Sequence, residues 1–279
     1  MTSFPSLPSL VQMYLEERRR AGFALEVPGH LLMHFARFAE ERGHYGPLTE
    51  QLILDWVQGC ARRATPLTWA NRLKTIRPFA QYCLRFDRAT YVPEKNRFGR
   101  AHRRLTPHIY TDQEMADLLE AARQLPPAGT LRPATYHALF GLIAATGLRL
   151  SEALKLQCAD VDLSHGVLTI RQTKFAKSRL VPLHPSVVAA LSDYVAVRQN
   201  QSPVTSQSCF FVGLSGRPLA KTTVQCVFQH LRKQLQWIAR GSYAAPRIHD
   251  LRHTFICRRV RLWHAQGADI DHAMLAWPT

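Results

Sequence analysis

The chain has 279 residues with 36 Lys and Arg against 20 Asp and Glu, a formal net charge of +16 and a sequence pI near 10.2. That length accommodates two domains with real cores, and 46% hydrophobic with 20% charged residues excludes general disorder. No apolar run reaches membrane-spanning length, the longest being Ala138 to Ala145, which excludes an integral membrane helix. Before residue 87 apolar residues recur four times at helical spacing: Leu10, Val11, Tyr14 and Leu15; Leu31, Leu32, Phe35 and Phe38; Leu52, Ile53, Trp56, Val57 and Cys60; Trp69, Leu73, Ile76, Ala80 and Cys83. Gly22, Pro28, Gly43, Gly46, Pro47 and Pro66 separate them, with Thr49 and Thr65 as caps. A small all-helical domain is expected over 1–87.

The next stretch has no apolar period. It carries Arg88, Lys95, Arg97, Arg100, Arg103 and Arg104 against only Glu94 and reads as a basic linker, 88–110, that lies along phosphates. From Thr111 a second domain, 111–279, begins on a capping box, Thr111 with Glu114. Helices are expected to about Gln124, over Pro133 to Ala145, and from near Leu150. Two short strands follow, Val167 to Arg171 and Arg179 to Leu183, joined by the polar turn Thr173 to Ser178. Further helices are expected over Pro185 to Gln199, Lys221 to Ala239 and His249 to Ala265. The fold class is mainly α with a small β-sheet.

Charge is spread evenly: 17 basic against 9 acidic residues up to Arg104, and 19 against 11 beyond it, so each half carries +8. Such a distribution suits a polyanion gripped from two sides, or a soluble protein of high pI with no such partner. Cys60, Cys83, Cys158, Cys209, Cys226 and Cys257 lie apart with no Cys-x-x-Cys, so neither a zinc ribbon nor a disulfide framework is indicated. The N-terminus has no basic n-region before its apolar residues. A reducing, cytoplasmic location is expected.

Three islands carry chemistry. In Ala145-Thr-Gly-Leu-Arg-Leu-Ser-Glu-Ala-Leu, Gly147 ends one helix and Arg149 opens the next turn beside orphan N–H groups, an anion site by construction. Glu152 lies one turn on and can hold Arg149; the same residues also fit a surface pair after a glycine cap. The second island is the turn bearing Lys174 and Lys177, where a lysine reaches outward to deliver a proton to a leaving oxygen, or simply confers solubility. The third is His249-Asp-Leu-Arg-His-Thr-Phe, in which His249, Arg252 and His253 share one helix face. His249 and His253 mimic a zinc pair, but no Glu follows the first and no third ligand is evident, so no metal is expected.

In that order and spacing the islands resemble the tyrosine recombinase, or phage integrase, family across nearly the whole chain. The resemblance implies a helical core-binding (SAM-like) domain and an α+β catalytic domain that close around duplex DNA with inverted half-sites, four protomers assembling on it. By position, Arg149 and Arg252 look like the arginines that hold the scissile phosphate, Lys174 like the general acid, and His249 like the histidine that assists proton transfer. Glu152 and His253 support them, while Arg97, Arg100, Arg103, Arg104 and Lys177 contact the DNA backbone. A phosphotyrosyl intermediate conserves bond energy, so no cofactor is implied.

The family places its nucleophilic tyrosine some thirty residues or slightly more after the second arginine. Here 27 residues follow Arg252 and the last tyrosine is Tyr243. The expectation is a recombinase cut short before its nucleophile, which binds DNA without cleaving it. The alternative is a non-catalytic DNA-binding protein that occupies recombination sites. A type IB topoisomerase-like enzyme shares the phosphotyrosine chemistry but not this ordered motif set.

Overall fold

Helix α1 (Leu7–Arg20) begins where the Ser6 side chain accepts a hydrogen bond from the Ser9 N–H and ends on Arg18, Arg19 and Arg20, cations favoured at the negative end of the helix dipole. The computed structural model describes residues 5–59, 65–101, 105–171, 178–200 and 205–272. The chain divides into two units, Met1–Arg104 and Leu105–Thr279.

In the first unit, α1, α2 (Glu26–Glu41), α3 (Glu50–Gly59) and α4 (Pro66–Cys83) turn their apolar stripes onto one core of Leu10, Val11, Leu32, Phe35, Ile53, Trp56, Ile76 and Phe79. Each such side chain, fully buried, contributes about 1.5–3 kcal/mol. The Trp56 Nε1–H, which has to be satisfied inside a core, donates to His34 Nδ1 at 2.9 Å. The segment after α4 belongs to this unit. Tyr91, Val92 and Phe98 pack against its core, the Tyr91 N–H donates to the Leu48 carbonyl, and Arg77 Nε donates to the Pro93 carbonyl. Residues 88–101, read from sequence as linker, fold back onto the helices instead. Three apolar side chains are enough to anchor them without making a periodic pattern.

In the second unit, α6 (Leu131–Thr146) is the central helix, with Leu139, Phe140, Leu142 and Ile143 buried. Around it lie α5 (Asp112–Arg123), α8 (Pro185–Gln199), α9 (Lys221–Gln234) and α10 (Ile248–Ala265), all contributing to a core that includes Leu118, Leu191, Phe211, Phe228 and Leu251. The capping box is present in full: Thr111 Oγ1 accepts from the Glu114 N–H, and Glu114 Oε2 from the Thr111 N–H. Strands β1 (Val161–Asp162), β2 (Val167–Ile170) and β3 (Arg179–Pro182) form an antiparallel sheet in that order among the described residues, with Ile170 opposite Arg179. The two-residue β1 was not anticipated, being too short to show alternation. Helix α9 stops short of the expected Ala239 because Gln236 takes a left-handed φ of 51°, which ends the helical path.

The segment leading into α5 is stitched across the unit. The Tyr110 N–H donates to Thr254 Oγ1 at 2.9 Å, the Tyr110 hydroxyl donates to the Arg247 carbonyl at 3.1 Å, and Arg258 pairs with Asp112 at 2.6 Å. These bonds fix α10 against the start of the unit.

Candidate phosphate-binding site

The site begins at the end of α6. Gly147 caps that helix with φ 65° and donates its N–H to the Ile143 carbonyl. A Cβ there would sit 2.4 Å from Phe255 Cδ1, so only glycine allows the turn to lie against α10 in this backbone conformation. Arg252 uses the same turn, donating from Nη1 to the Gly147 carbonyl at 2.5 Å. Two residues on, Arg149 is the N-cap of the single-turn α7 (Leu150–Ala153).

Glu152 ties this turn to the sheet. It accepts from the Arg149 N–H at 2.8 Å and from Arg149 Nη1 at 2.9 Å. It also accepts from both terminal nitrogens of Arg179, at 3.2 and 2.9 Å. Burial pushes the Glu152 carboxyl up, but the Arg179 hydrogen bonds, the Arg149 N–H and the nearby guanidinium charges outweigh it, leaving the group below the usual carboxylate range. Glu152 is therefore ionised, with two arginines on it.

Helix α10 supplies the other side. Arg247 is its N-cap and binds the buried Asp250 through its N–H at 2.9 Å and its Nη2 at 2.7 Å. In its first and second turns stand His249 and His253, ring centroids 4.8 Å apart and planes perpendicular. Burial, His253, Arg247 and Arg252 all lower the basicity of His249, with Asp250 opposing. Burial also lowers that of His253. Arg252 is depressed by its own burial and then by Arg149, yet an arginine so placed stays cationic. The surroundings are thus rich in positive charge and hold the imidazoles neutral, ready to take a proton when an anion arrives.

Arg149 and His249 line one cleft of about 520 Å³ with Lys221, Arg232 and Arg247. Arg252 lines another, of about 630 Å³, with Arg179, His184, Arg259 and the apolar Val181, Phe255 and Trp263. The turn around Gly147 contributes to both. Among the residues singled out from sequence, the structure brings Arg149, Glu152, His249 and Arg252 together around this turn, and His253 packs edge-on against His249. His249 and His253 have no third metal-ligating side chain grouped with them among the described residues. Lys174, Lys177, Arg103 and Arg104 lie outside the described residues. Arg97, in the first unit, is ion-paired with Glu50 and hydrogen-bonded to Tyr91, and Arg100 is exposed.

Sequence reasoning missed Arg179, Arg247, Lys221 and Arg232. Two of these left a signal. Arg247-Ile-His-Asp250 repeats the spacing of Arg149-Leu-Ser-Glu152, and the alternation of β3 puts Arg179 on the inward face with Val181.

What the geometry offers is a cluster of guanidinium and imidazole groups on a mainly helical α+β unit. The phage integrase family model matches residues 109–266. A Sinorhizobium fredii protein bearing the name integrase/recombinase y4rB is 38% identical over 270 residues, covering 95% of this chain and 85% of that one. The tyrosine recombinase XerC of Halalkalibacterium halodurans is 30% identical over 256 residues, covering 86% of this chain and 77% of that one. The chain therefore belongs to the phage integrase family of tyrosine recombinases. Its fold is similar to that of the site-specific recombinase XerH bound to palindromic difH substrate, with a TM-score of 0.60 at 18% identity, covering 96% of this chain and 80% of that one.

Proposed function

We propose that this chain acts on duplex DNA in site-specific recombination, with Arg149 and Arg252 gripping the scissile phosphate. The observation that carries this is the convergence of Arg149, Glu152, Arg252 and His249 on the Gly147 turn, with His253 packed on His249. Strand exchange passes through a phosphorane-like transition state that gains negative charge on its non-bridging oxygens. Guanidiniums with fixed donors stabilise that charge more than they stabilise the ground-state diester. His249, neutral in the unliganded site, takes up or relays a proton there, and Lys174 acts as the general acid for the departing 5′-oxygen. Both units, each carrying +8, contribute backbone contacts, Arg97, Arg100, Arg103, Arg104 and Lys177 among them. The palindromic substrate of XerH supports inverted half-sites and an assembly of like subunits. Free cysteines such as Cys83 and Cys158 accord with a cytoplasmic setting.

A second reading is favoured by one observation: among the described residues no tyrosine lines either cleft. On it, residues 1–279 occupy recombination sites without cutting them. Selection from a random duplex pool, followed by incubation with a nicked suicide version of the selected site, separates the two. An inverted repeat recovered by the wild type and lost by Arg149→Ala with Arg252→Ala supports the DNA-site reading. A covalent adduct then supports recombinase chemistry, and tight binding with no adduct supports occupancy alone. Recovery of no preferred sequence overturns both.

A further inference from the structure

Glu152 is one carboxylate between two guanidiniums, and the two are not equivalent. Arg179 takes both oxygens end-on, Nη1 to Oε1 at 3.2 Å and Nη2 to Oε2 at 2.9 Å. Arg149 takes one, with Nη1 at 2.9 Å from Oε1. The Arg179 and Glu152 side chains are 9% and 10% exposed, and that of Arg149 is 39% exposed. A bidentate pair out of water neutralises itself more completely than a single bond at a wet surface. Arg179 therefore absorbs most of the Glu152 charge, and Arg149 keeps its own for the open face. Without Arg179, the same carboxylate would pair with Arg149 alone, and the two would show a phosphate no net charge.

A second observation points the same way. Arg179 Nε is buried with no hydrogen-bond partner among the described residues. The end-on grip commits both terminal nitrogens to Glu152, and Nε goes unmatched. Buried donors are rarely left so, which marks the Glu152 grip as what fixes this side chain. The electrostatic reach extends further, since Arg149, Glu152 and Arg179 all act on Arg252.

Resting on the reading above that Arg149 meets a DNA phosphate, we propose that Arg179 is a positioning residue, which holds and neutralises Glu152 so that Arg149 is both aimed and electrically available. It touches no DNA itself. The sequence puts it on the β3 face shared with Val181, where a cation has no structural reason to be unless a carboxylate awaits it.

The test uses residues 1–279 and a long random-sequence duplex, with dissociation constants measured over a range of salt concentrations. Arg149→Ala is expected to lower the log–log salt slope by about 0.9, the share of one phosphate contact, and to weaken binding roughly tenfold. Arg179→Met is expected to do the same from its buried position. Adding Glu152→Gln to Arg179→Met should restore most of the affinity, because no carboxylate then holds Arg149. If Arg179→Met fails to fold by circular dichroism, Arg179→Lys replaces it; this variant keeps the charge without the two-pronged grip and should retain the slope while weakening binding.

Three outcomes overturn the proposal. Wild-type slope and affinity in Arg179→Met (or wild-type affinity in Arg179→Lys), alongside a loss in Arg149→Ala, leave Arg179 with no part in the grip. A loss in Arg179→Met that persists when Glu152→Gln is added makes Arg179 a direct phosphate contact. An unchanged slope in Arg149→Ala removes the phosphate reading itself, and the proposal with it.

Discussion

Helices α7 and α10 begin on one pattern, an arginine at the N-cap and an acid three residues on: Arg149 with Glu152, Arg247 with Asp250. Their surroundings differ. Asp250 is wholly buried, and among the described residues its carboxylate bonds Arg247 alone, through the N–H, Nε and Nη2. That is one charge against one, further immobilised by the Tyr243 ring 3.2 Å beneath the Arg247 guanidinium. At α7 the count is two against one, because Arg179 joins from β3. The first arrangement caps a helix and closes on itself; the second leaves positive charge over. An identical local motif is paired one to one in one place and two to one in the other, and the additional residue comes from a distant strand.

The largest expected effect comes from breaking the turn on which both helices meet. Gly147→Ala forces a side chain into a left-handed conformation and against Phe255, at a combined cost of roughly 2–5 kcal/mol. Thermal melting should show it, and Phe255→Ala on top should recover the steric part. Next, Asp250→Asn removes the neutralising charge at α10. It should cost about 1–3 kcal/mol through a buried donor and acceptor set left mismatched, yet steepen the salt dependence of DNA binding, since Arg247 would then resemble Arg149. An unchanged slope would mean that Arg247 does not face DNA at all.

Smaller effects follow from titration. Burial raises the Glu114 carboxyl, but Arg240, the Thr111 N–H and His108 pull it down to about 2. Its folded value lies below its unfolded one, so its contribution is present above the ordinary glutamate range and is lost as the pH falls through that range toward 2. Glu114→Gln should flatten acid unfolding there. His249 is also depressed, by burial first. For a histidine this means stability is lost as the pH drops through the ordinary imidazole value, where the unfolded chain takes the proton first. DNA acts in the opposite sense, because a phosphate favours the imidazolium. Affinity should therefore rise modestly on acidification, and His249→Gln should remove part of that rise.

Much of the fold was legible because amphipathic stripes such as Leu10, Val11 and Tyr14 or Val224, Val227 and Phe228 declare their buried face. Arg149, Glu152, His249 and Arg252 were legible because each lies in a short island with its chemistry printed beside it. Arg179 was not, because its meaning depends on a carboxylate 27 residues earlier. The docking of 88–101 was equally hidden, for Tyr91, Val92 and Phe98 follow no period that a local pattern can register. Tertiary partners decided both.

The bond from Arg252 to the Gly147 carbonyl spans 105 residues, and that from Tyr110 to Thr254 spans 144. Closing loops of that size before any local reward is gained is an entropic barrier, growing by about 0.6 kcal/mol for each doubling of loop length. The arrangement of Arg149 and Arg252 therefore cannot precede the folding of almost the entire second unit. A nascent or half-folded chain already carries its positive charge, but its arginines are not yet aligned. Charge comes early in the life of this molecule and geometry late.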